Sequence, residues 1–362
     1  MKIAVAGGVT GGHIYPAVAL IQKFQQTFGD TEVLYFATPH GLENREIKRL
    51  FSHAVIVQVP VRGLRRPYLH IQNLSIMTQA LRSVSVCAQW IRRFRPDFTL
   101  ITGGYVSVPV GIASRRCSVP YYIHEQNAIG GVANRWISKN AQAVFISFEE
   151  SRPGFANQRN RIVFSGNPVR NCLADHTHYL QRLGIDPARP LVLVVGGSQG
   201  SDYINRRMEE IYTKNANPGV QFLHSTGDPA VTLRLRAYPN VFPSDFIEDI
   251  HECMGIATMI ISRGGATTVA EIVRFRLPSW IIPWAQAAEN HQLRNAQALF
   301  KQGGALFLEE RDASADAIME QMHYLMIPEH RTTIQEALQK MTPLIDPTDL
   351  IFSEIMKDRE CT

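Results

Sequence analysis

The chain has 362 residues, 45% of them hydrophobic and 19% charged, with a formal net charge of +5; this composition excludes a disordered or collagen-like chain and suits two domains of ordinary size. Its five cysteines, Cys87, Cys117, Cys172, Cys253 and Cys361, form no C-x-x-C pair, which argues against a disulfide framework or a zinc site and fits a reducing cytosol. No apolar run approaches the roughly 20 residues of a bilayer span and no signal-peptide pattern precedes the first strand, so the expectation is an internal protein that meets a membrane only at its surface.

The first predicted strand, "KIAVAG" from Lys2, runs straight into "GGVTGGHIYP", where Gly7, Gly8, Gly11 and Gly12 precede His13. "EVLYFAT", "AVIVQVP", "FTLITGG", "PYYIHE" and "AVFIS" follow as short apolar runs, as strands buried on both faces should be. Helical spacing lies between them, most clearly from Ile71 to Phe94. No acid occurs between Glu46 and Asp97, while Arg62, Arg65, Arg66, Arg82, Arg92, Arg93 and Arg95 do. Such a one-sided block points to an anionic partner or, more simply, to a solvated basic face. A strand ends at "FSGNPVRN", residues 164 to 171, which predicts the domain boundary. The plan then repeats: "RPLVLVVGGSQGSDYINRRMEEI" from Arg189 is again strand, glycine turn and helix, and "VQFLHST", "TMIISRGG", "LPSWIIP" and "GALFLEE" supply further strands. Strand and helix in alternation predict two doubly wound α/β domains, each with a parallel sheet, facing each other across a cleft.

The glycine turns bear on phosphate binding. A P-loop needs Lys and then Ser or Thr after its last glycine, and His13-Ile14 stands there. A dinucleotide fingerprint needs G-x-G-x-x-G, which the four glycines do not form, and "EVLYFAT" lacks the acid that holds a ribose. The general device remains: glycines bring the backbone close to an anion and the following helix turns its N–H groups toward it. A turn built only for tight packing is the plainer reading, and the second copy at "GGSQGS" weighs against it. Polar clusters follow other strands: "HEQNAIGG" with Glu125 and Asn127, "SRGGATTVAE" with Glu271, and "AAENHQLRNA" with Gln292.

Taken together, "GGVTGGHIYP", "GGYVSVPVGIA", "HEQNAIGGVANR", "GNPVR", "GGSQGS", "SRGGATTVAE" and "ENHQLRNA" resemble, in order and spacing, the MurG family of N-acetylglucosaminyltransferases. The similarity covers nearly the whole chain. It implies the GT-B fold and inverting transfer of GlcNAc from UDP-GlcNAc to the MurNAc 4-hydroxyl of undecaprenyl-linked lipid I, giving lipid II in peptidoglycan synthesis at the cytoplasmic face of the membrane. The domains it implies are 1–165 for the acceptor and membrane side, 166–342 for UDP-GlcNAc, and a C-terminal helix in 343–362 packing back on the first.

By the same resemblance, Thr10, Gly11, Gly12, Asn127 and Arg170 match donor positions of the first half and its border. Ser198, Gln199 and Ile247 match positions near the donor phosphates and base. Ala266, Thr267, Thr268, Val269, Ala270 and Glu271 match the uridine-side loop and helix, with Glu271 on the ribose hydroxyls and Gln292 beside them. Gly103, Gly104, Tyr105 and Asn134 match acceptor positions. Val9 departs from the family, which usually has a third glycine there.

For the chemistry, His13 is a candidate base because its ordinary pKa lies near neutrality; Glu125 is the rival, and the residues alone leave the choice open, leaning to His13. His124 reads as structural. No Asp-x-Asp motif lies near the phosphate elements, so metal-free stabilisation by helix N-termini, with no cofactor, is expected. Arg62, Arg65 and Arg66, followed by Ile71, Leu74, Met77 and Leu81 at helical spacing, are expected to face an anionic inner leaflet. Nucleic acid is not expected, since no series of stacking aromatics accompanies the basic block. A related glycolipid glycosyltransferase or a UDP-GlcNAc epimerase of the same fold is the alternative.

Overall fold

A computed structural model describes residues 1–8, 10–61, 73–156, 161–170, 180, 182–197, 199–214, 219–247 and 250–360, with backbone alone for 73–78, 80, 81 and 288. Met1–Arg170 together with Pro343–Thr362 form one compact unit, and Asn171–Thr342 form the second.

The first unit is built on seven parallel strands: β1 (Lys2–Gly7), β2 (Glu32–Ala37), β3 (Val55–Gln58), β4 (Phe98–Gly103), β5 (Tyr121–Glu125), β6 (Ala143–Ile146) and β7 (Arg161–Phe164). Their order in the sheet is β3-β2-β1-β4-β5-β6-β7. Strand residues alternate between two cores. Ala4, Ala6, Leu34, Phe36 and Ile101 face one side, while Ile3, Val5, Val33, Tyr35 and Leu100 face the other. That double burial is why these strands read as unbroken apolar runs. The helix Gly11–Phe28 covers the second side and ends at Gly29, whose φ of +65° closes it. The helix Asn73–Phe94 lies where the apolar spacing predicts one, and Ile71 falls outside the described residues.

The last helix, Pro347–Glu360, belongs to this first unit. Ile351 and Ile355 are fully buried in the second-side core. The rings of Phe24 and Phe352 lie 4.8 Å apart. Ion pairs tie the helix down: Lys23 to Asp349 at 2.6 Å, Arg161 to Asp358 at 2.9 Å and to Glu354 at 3.1 Å, and Arg359 to Asp97 at 3.0 Å. All are partly exposed, so the buried apolar surface contributes more than they do.

The second unit repeats the plan with six parallel strands: β8 (Leu191–Val195), β9 (Gln221–Ser225), β10 (Val241–Ser244), β11 (Met259–Ser262), β12 (Ser279–Ile281) and β13 (Leu306–Phe307). Their order is β10-β9-β8-β11-β12-β13. Two doubly wound α/β units, as the sequence predicts, are therefore present. In each, the strand order reverses beside the first strand, between β1 and β4 and between β8 and β11. At such a reversal the loops on either side diverge and leave a crevice at the strand ends. Both predicted glycine turns open there.

Candidate active site

In the first unit the crevice between β1 and β4 is lined by Gly7 and Gly8 on one side and Gly103 and Gly104 on the other. Gly103 and Gly104 have φ of +115° and +86°, a region costly to residues with a Cβ. A Cβ on Gly103 would stand 2.5 Å from His13 Nδ1, and one on Gly104 would stand 2.8 Å from the Gly8 carbonyl oxygen. The glycines thus let the imidazole of His13, two residues into the first helix, lie flat against the end of β4.

The His13 ring is wired. Its Nδ1 lies 2.9 Å from the Thr102 carbonyl and 3.0 Å from Gln126 Oε1. Both partners are acceptors, so Nδ1 carries the proton and donates it. In the neutral ring that leaves Nε2 with a lone pair. The Gln126 amide is oriented in turn, because its Nε2 donates to the carbonyls of Thr102 at 2.7 Å and His124 at 3.0 Å. The same Nε2 lies 3.0 Å from His124 Nδ1, which must then accept, and His124 Nε2–H donates to the Gly166 carbonyl at 3.1 Å. Burial pushes the His124 ring down to about 4, so it stays neutral and structural.

Glu125 is almost fully buried and its carboxylate is occupied. Oε1 accepts from the Asn127 backbone N–H at 3.1 Å and from Asn127 Nδ2 at 3.2 Å. Oε2 accepts from the Gly131 N–H at 2.8 Å and from Asn134 Nδ2 at 2.9 Å. The group folds the "QNAIGG" loop around itself. Asn134 is buried as well, while Tyr105 is half exposed. Thr10 precedes the first helix in an extended conformation and is exposed, and Gly11 and Gly12 begin it. Arg170 is buried with its guanidinium 4.0 Å from the centre of the Tyr15 ring.

A further carboxylate, Glu43, lies behind the first turn. It is fully buried and accepts from the Thr38 N–H at 2.7 Å and the Thr38 hydroxyl at 2.6 Å. A Cβ on Gly8 would stand 2.6 Å from its Oε1. The Tyr35 hydroxyl donates to the Gly7 carbonyl alongside it.

In the second unit the turn after β8 is Gly196 to Ser201. Gly197 and Gly200 have φ of +94° and +74°, and Gly200 packs directly on the Thr226 carbonyl and on Gly227. Ser201 caps the helix Asp202–Thr213, its Oγ accepting from the Ile204 N–H. Gln199 is exposed at the tip. Across the crevice, buried Arg263 donates to Ser201 Oγ at 2.6 Å and to the Ile282 carbonyl at 3.1 Å, and pairs with Glu310 at 2.6 Å. Burial lowers the Arg263 pKa from its ordinary value, against the pull of Glu310.

The helix Ala266–Phe275 starts beside this ion pair, capped by extended Gly265. Thr267 and Glu271 are buried one turn apart, with Ala266 buried ahead of them, Val269 buried between them, and Thr268 and Ala270 partly exposed. Gln292 accepts the Trp284 N–H on its Oε1 at 3.0 Å, and its carbonyl lies against Gly264. Asn295, fully buried, holds the Gly264 carbonyl at 3.0 Å. Ile247 is buried after β10. Ser198, Val9, Arg62, Arg65 and Arg66 lie outside the described residues.

Sequence reasoning brings His13, Gly103, Gly104 and Glu125 to the end of the first sheet, and in the other unit places Gln199 on a turn, Glu271 on the helix Ala266–Phe275 and Gln292 on the helix His291–Lys301. It passed over Gln126, Glu43, Arg263 and Asn295. Of these only Gln126 carried a signal, since "HEQN" puts four polar side chains in a row at a strand end.

Comparison with known proteins bears on both units. The glycosyltransferase family 28 N-terminal domain matches residues 3–146 and the C-terminal domain of that family matches residues 191–346. The UDP-N-acetylglucosamine–N-acetylmuramyl-(pentapeptide) pyrophosphoryl-undecaprenol N-acetylglucosamine transferase of Thermotoga neapolitana is 33% identical over 98% of both chains. The enzyme of the same name from Desulforamulus reducens is 35% identical over 88% of both. Among solved structures, the MurG of Acinetobacter baumannii superposes with a TM-score of 0.71 at 25% identity, covering 97% of this chain and 99% of that one. A UDP-GlcNAc 2-epimerase from Neisseria meningitidis superposes at 0.70 with 14% identity, covering 99% of this chain and 100% of that one, a likeness of fold alone.

Proposed function

The chain belongs to glycosyltransferase family 28, with the MurG transferases among its relatives, and from that premise we propose how its two crevices divide the reaction. The chain moves N-acetylglucosamine from UDP-GlcNAc to lipid I, making lipid II for peptidoglycan. The second unit holds the donor: Glu271 takes the ribose hydroxyls, and the Gly196–Ser201 turn with the start of the helix Asp202–Thr213 receives the diphosphate. Ser198, Gln199, Ile247 and Gln292 complete that side, and Thr10, Asn127 and Arg170 match donor positions by the family resemblance.

The first unit holds the acceptor through Gly103, Gly104 and Tyr105. His13 Nε2 takes the proton of the MurNAc 4-hydroxyl as its oxygen bonds to the anomeric carbon. The bond from that carbon to the diphosphate breaks with its electron pair leaving on UDP, and the anomeric centre inverts. Glu125, with four donors on its oxygens, shapes the loop and Asn134 braces it. The observation that carries the base assignment is the Nδ1–H of His13 held by two acceptors, which leaves its Nε2 as the basic atom.

Incubation with UDP-GlcNAc alone, then with a lipid I analogue, tests the activity. UDP should be released only when the analogue is present. Release or isomerisation without it supports the epimerase reading that the fold also allows. The donor assignment has its own check. Charge-assisted hydrogen bonds contribute about 1.5–3 kcal/mol each, so Glu271→Ala should weaken UDP binding at least about tenfold in calorimetry, and unchanged affinity refutes the ribose role.

Lipid I is anchored in the membrane, while no helix among the described residues is long and apolar enough to cross one. Peripheral binding to an anionic cytoplasmic leaflet through the block at Arg62, Arg65 and Arg66 reconciles the two.

A further inference from the structure

We propose that Gln126 is the positioning residue of the proton-transfer step: it holds the His13 ring in the tautomer that leaves Nε2 basic, and its Oε1 stabilises the charge that the ring acquires. The proposal rests on His13 acting as the base.

The geometry leaves Gln126 one orientation. Its Nε2 faces two carbonyl oxygens, those of Thr102 and His124, which can only accept. Its Oε1 is therefore turned to His13 Nδ1 at 3.0 Å. The side chain is 1% exposed, so no water competes for either end. His124, on the far side, is fixed as an acceptor at Nδ1 because its Nε2–H is given to the Gly166 carbonyl. Donation thus runs in one direction, from His13 through Gln126 and His124 to the Gly166 carbonyl. A carboxylate in place of the amide would face the Thr102 and His124 oxygens without a proton to give them.

The consequence lies in the charged state. When Nε2 takes the acceptor's proton the ring becomes an imidazolium, and the Nδ1–H bond to Gln126 Oε1 becomes charge-assisted and stronger. An acceptor at that position favours the protonated ring. The other ionisable groups around the turn are His124 beneath Gln126, Tyr15 on the same helix with Arg170 over its ring, Tyr35 at the Gly7 carbonyl and Glu43 behind Gly8. His124 is itself bonded to Gln126, through its Nδ1 and its carbonyl, and loses that donor in either variant.

The test compares wild type with Gln126→Met, which keeps the length and removes both polar atoms, and Gln126→Glu, which sets a carboxylate against Nδ1–H. In Gln126→Met, kcat should fall roughly tenfold, the effect of one hydrogen bond, with the KM for UDP-GlcNAc unchanged. The acid limb of its kcat/KM profile should move to lower pH by about half a unit or more. In Gln126→Glu the acid limb should move to higher pH. A loss of packing alone moves neither limb. Profiles that superpose, or that shift in the same direction, overturn the proposal. Should Gln126→Glu not fold, the direction of the Gln126→Met shift decides.

The base reading is tested apart from this. If His13→Ala keeps the wild-type acid limb, His13 is not the base. The 15N resonances of the His13 ring, titrated in wild type and Gln126→Met, still report on Gln126: a lower midpoint in the variant supports its hold on the ring, and identical curves overturn it.

Discussion

A histidine works as a base only if its proton sits on the other nitrogen, and at His13 two acceptors settle that. General-base loss typically costs ~10²–10⁴ in rate. His13→Ala should therefore lose turnover on that scale while UDP affinity, read by calorimetry, stays near wild type. Glu125→Gln should fold and keep more activity than His13→Ala, with its loss falling on use of the acceptor. A dead Glu125→Gln beside a nearly normal His13→Ala reverses the two roles. The residues visible in the sequence were those with a chemistry of their own, His13 and Glu125 among them. Glu43 was not visible, and Gln126 showed only as one polar side chain of "HEQN", because neither reveals its role until the fold places its partners around it. Glu43 reaches Thr38 from five residues along the chain, and its contact with Gly8 crosses from one βα connection to another.

Elements show a similar division. Gly29 and Gly103 both have positive φ, +65° and +115°, yet they do different work. A Cβ on Gly29 would meet nothing within 4 Å, while one on Gly103 would press into the His13 ring. Gly29→Ala should then show only the backbone cost of a left-handed residue, about 1–2 kcal/mol, and full activity. Gly103→Ala should be inactive and destabilised further, because the ring must leave its acceptors. Thermal denaturation beside turnover assays reads both, and an active Gly103→Ala refutes the ring's placement. The strands were legible because burial on both faces leaves apolar runs. Exceptions came at the sheet edge. β10 is four residues long and contains Pro243, a residue tolerated only where one side of the ladder is unpaired, so its sequence resembles a loop. β13 has two residues, and only a fragment of "GALFLEE" pairs.

At the scale of the molecule, the sequence shows its plan through repetition: strand, glycine turn and helix occur twice, and both sheets adopt the same order around their first strand. For the basic block outside that plan the proposed partner is an anionic surface. Basic residues near an anionic leaflet contribute about 1 kcal/mol each, so three supply roughly 3 kcal/mol at low salt. Replacing Arg62, Arg65 and Arg66 with Ser should reduce flotation with anionic vesicles and turnover of membrane-embedded lipid I, while a soluble short-chain acceptor is still used. Equal flotation by both proteins, indifferent to salt, assigns the membrane face elsewhere.

The helix Pro347–Glu360 belongs to the unit that begins at Met1, and this has a consequence for the order in which the protein is made. Domains ordinarily mature from the N-terminus as they leave the ribosome. Here Ile351, Ile355 and Phe352 are missing from the first core until the helix Pro347–Glu360 is translated, so Phe24 and its neighbours wait with an open apolar face while all of Asn171–Thr342 is synthesised. The second unit, continuous in the chain, has its full sequence first. A stop codon just before Pro347 would thus spare the unit it is nearest to and damage the one that was begun first.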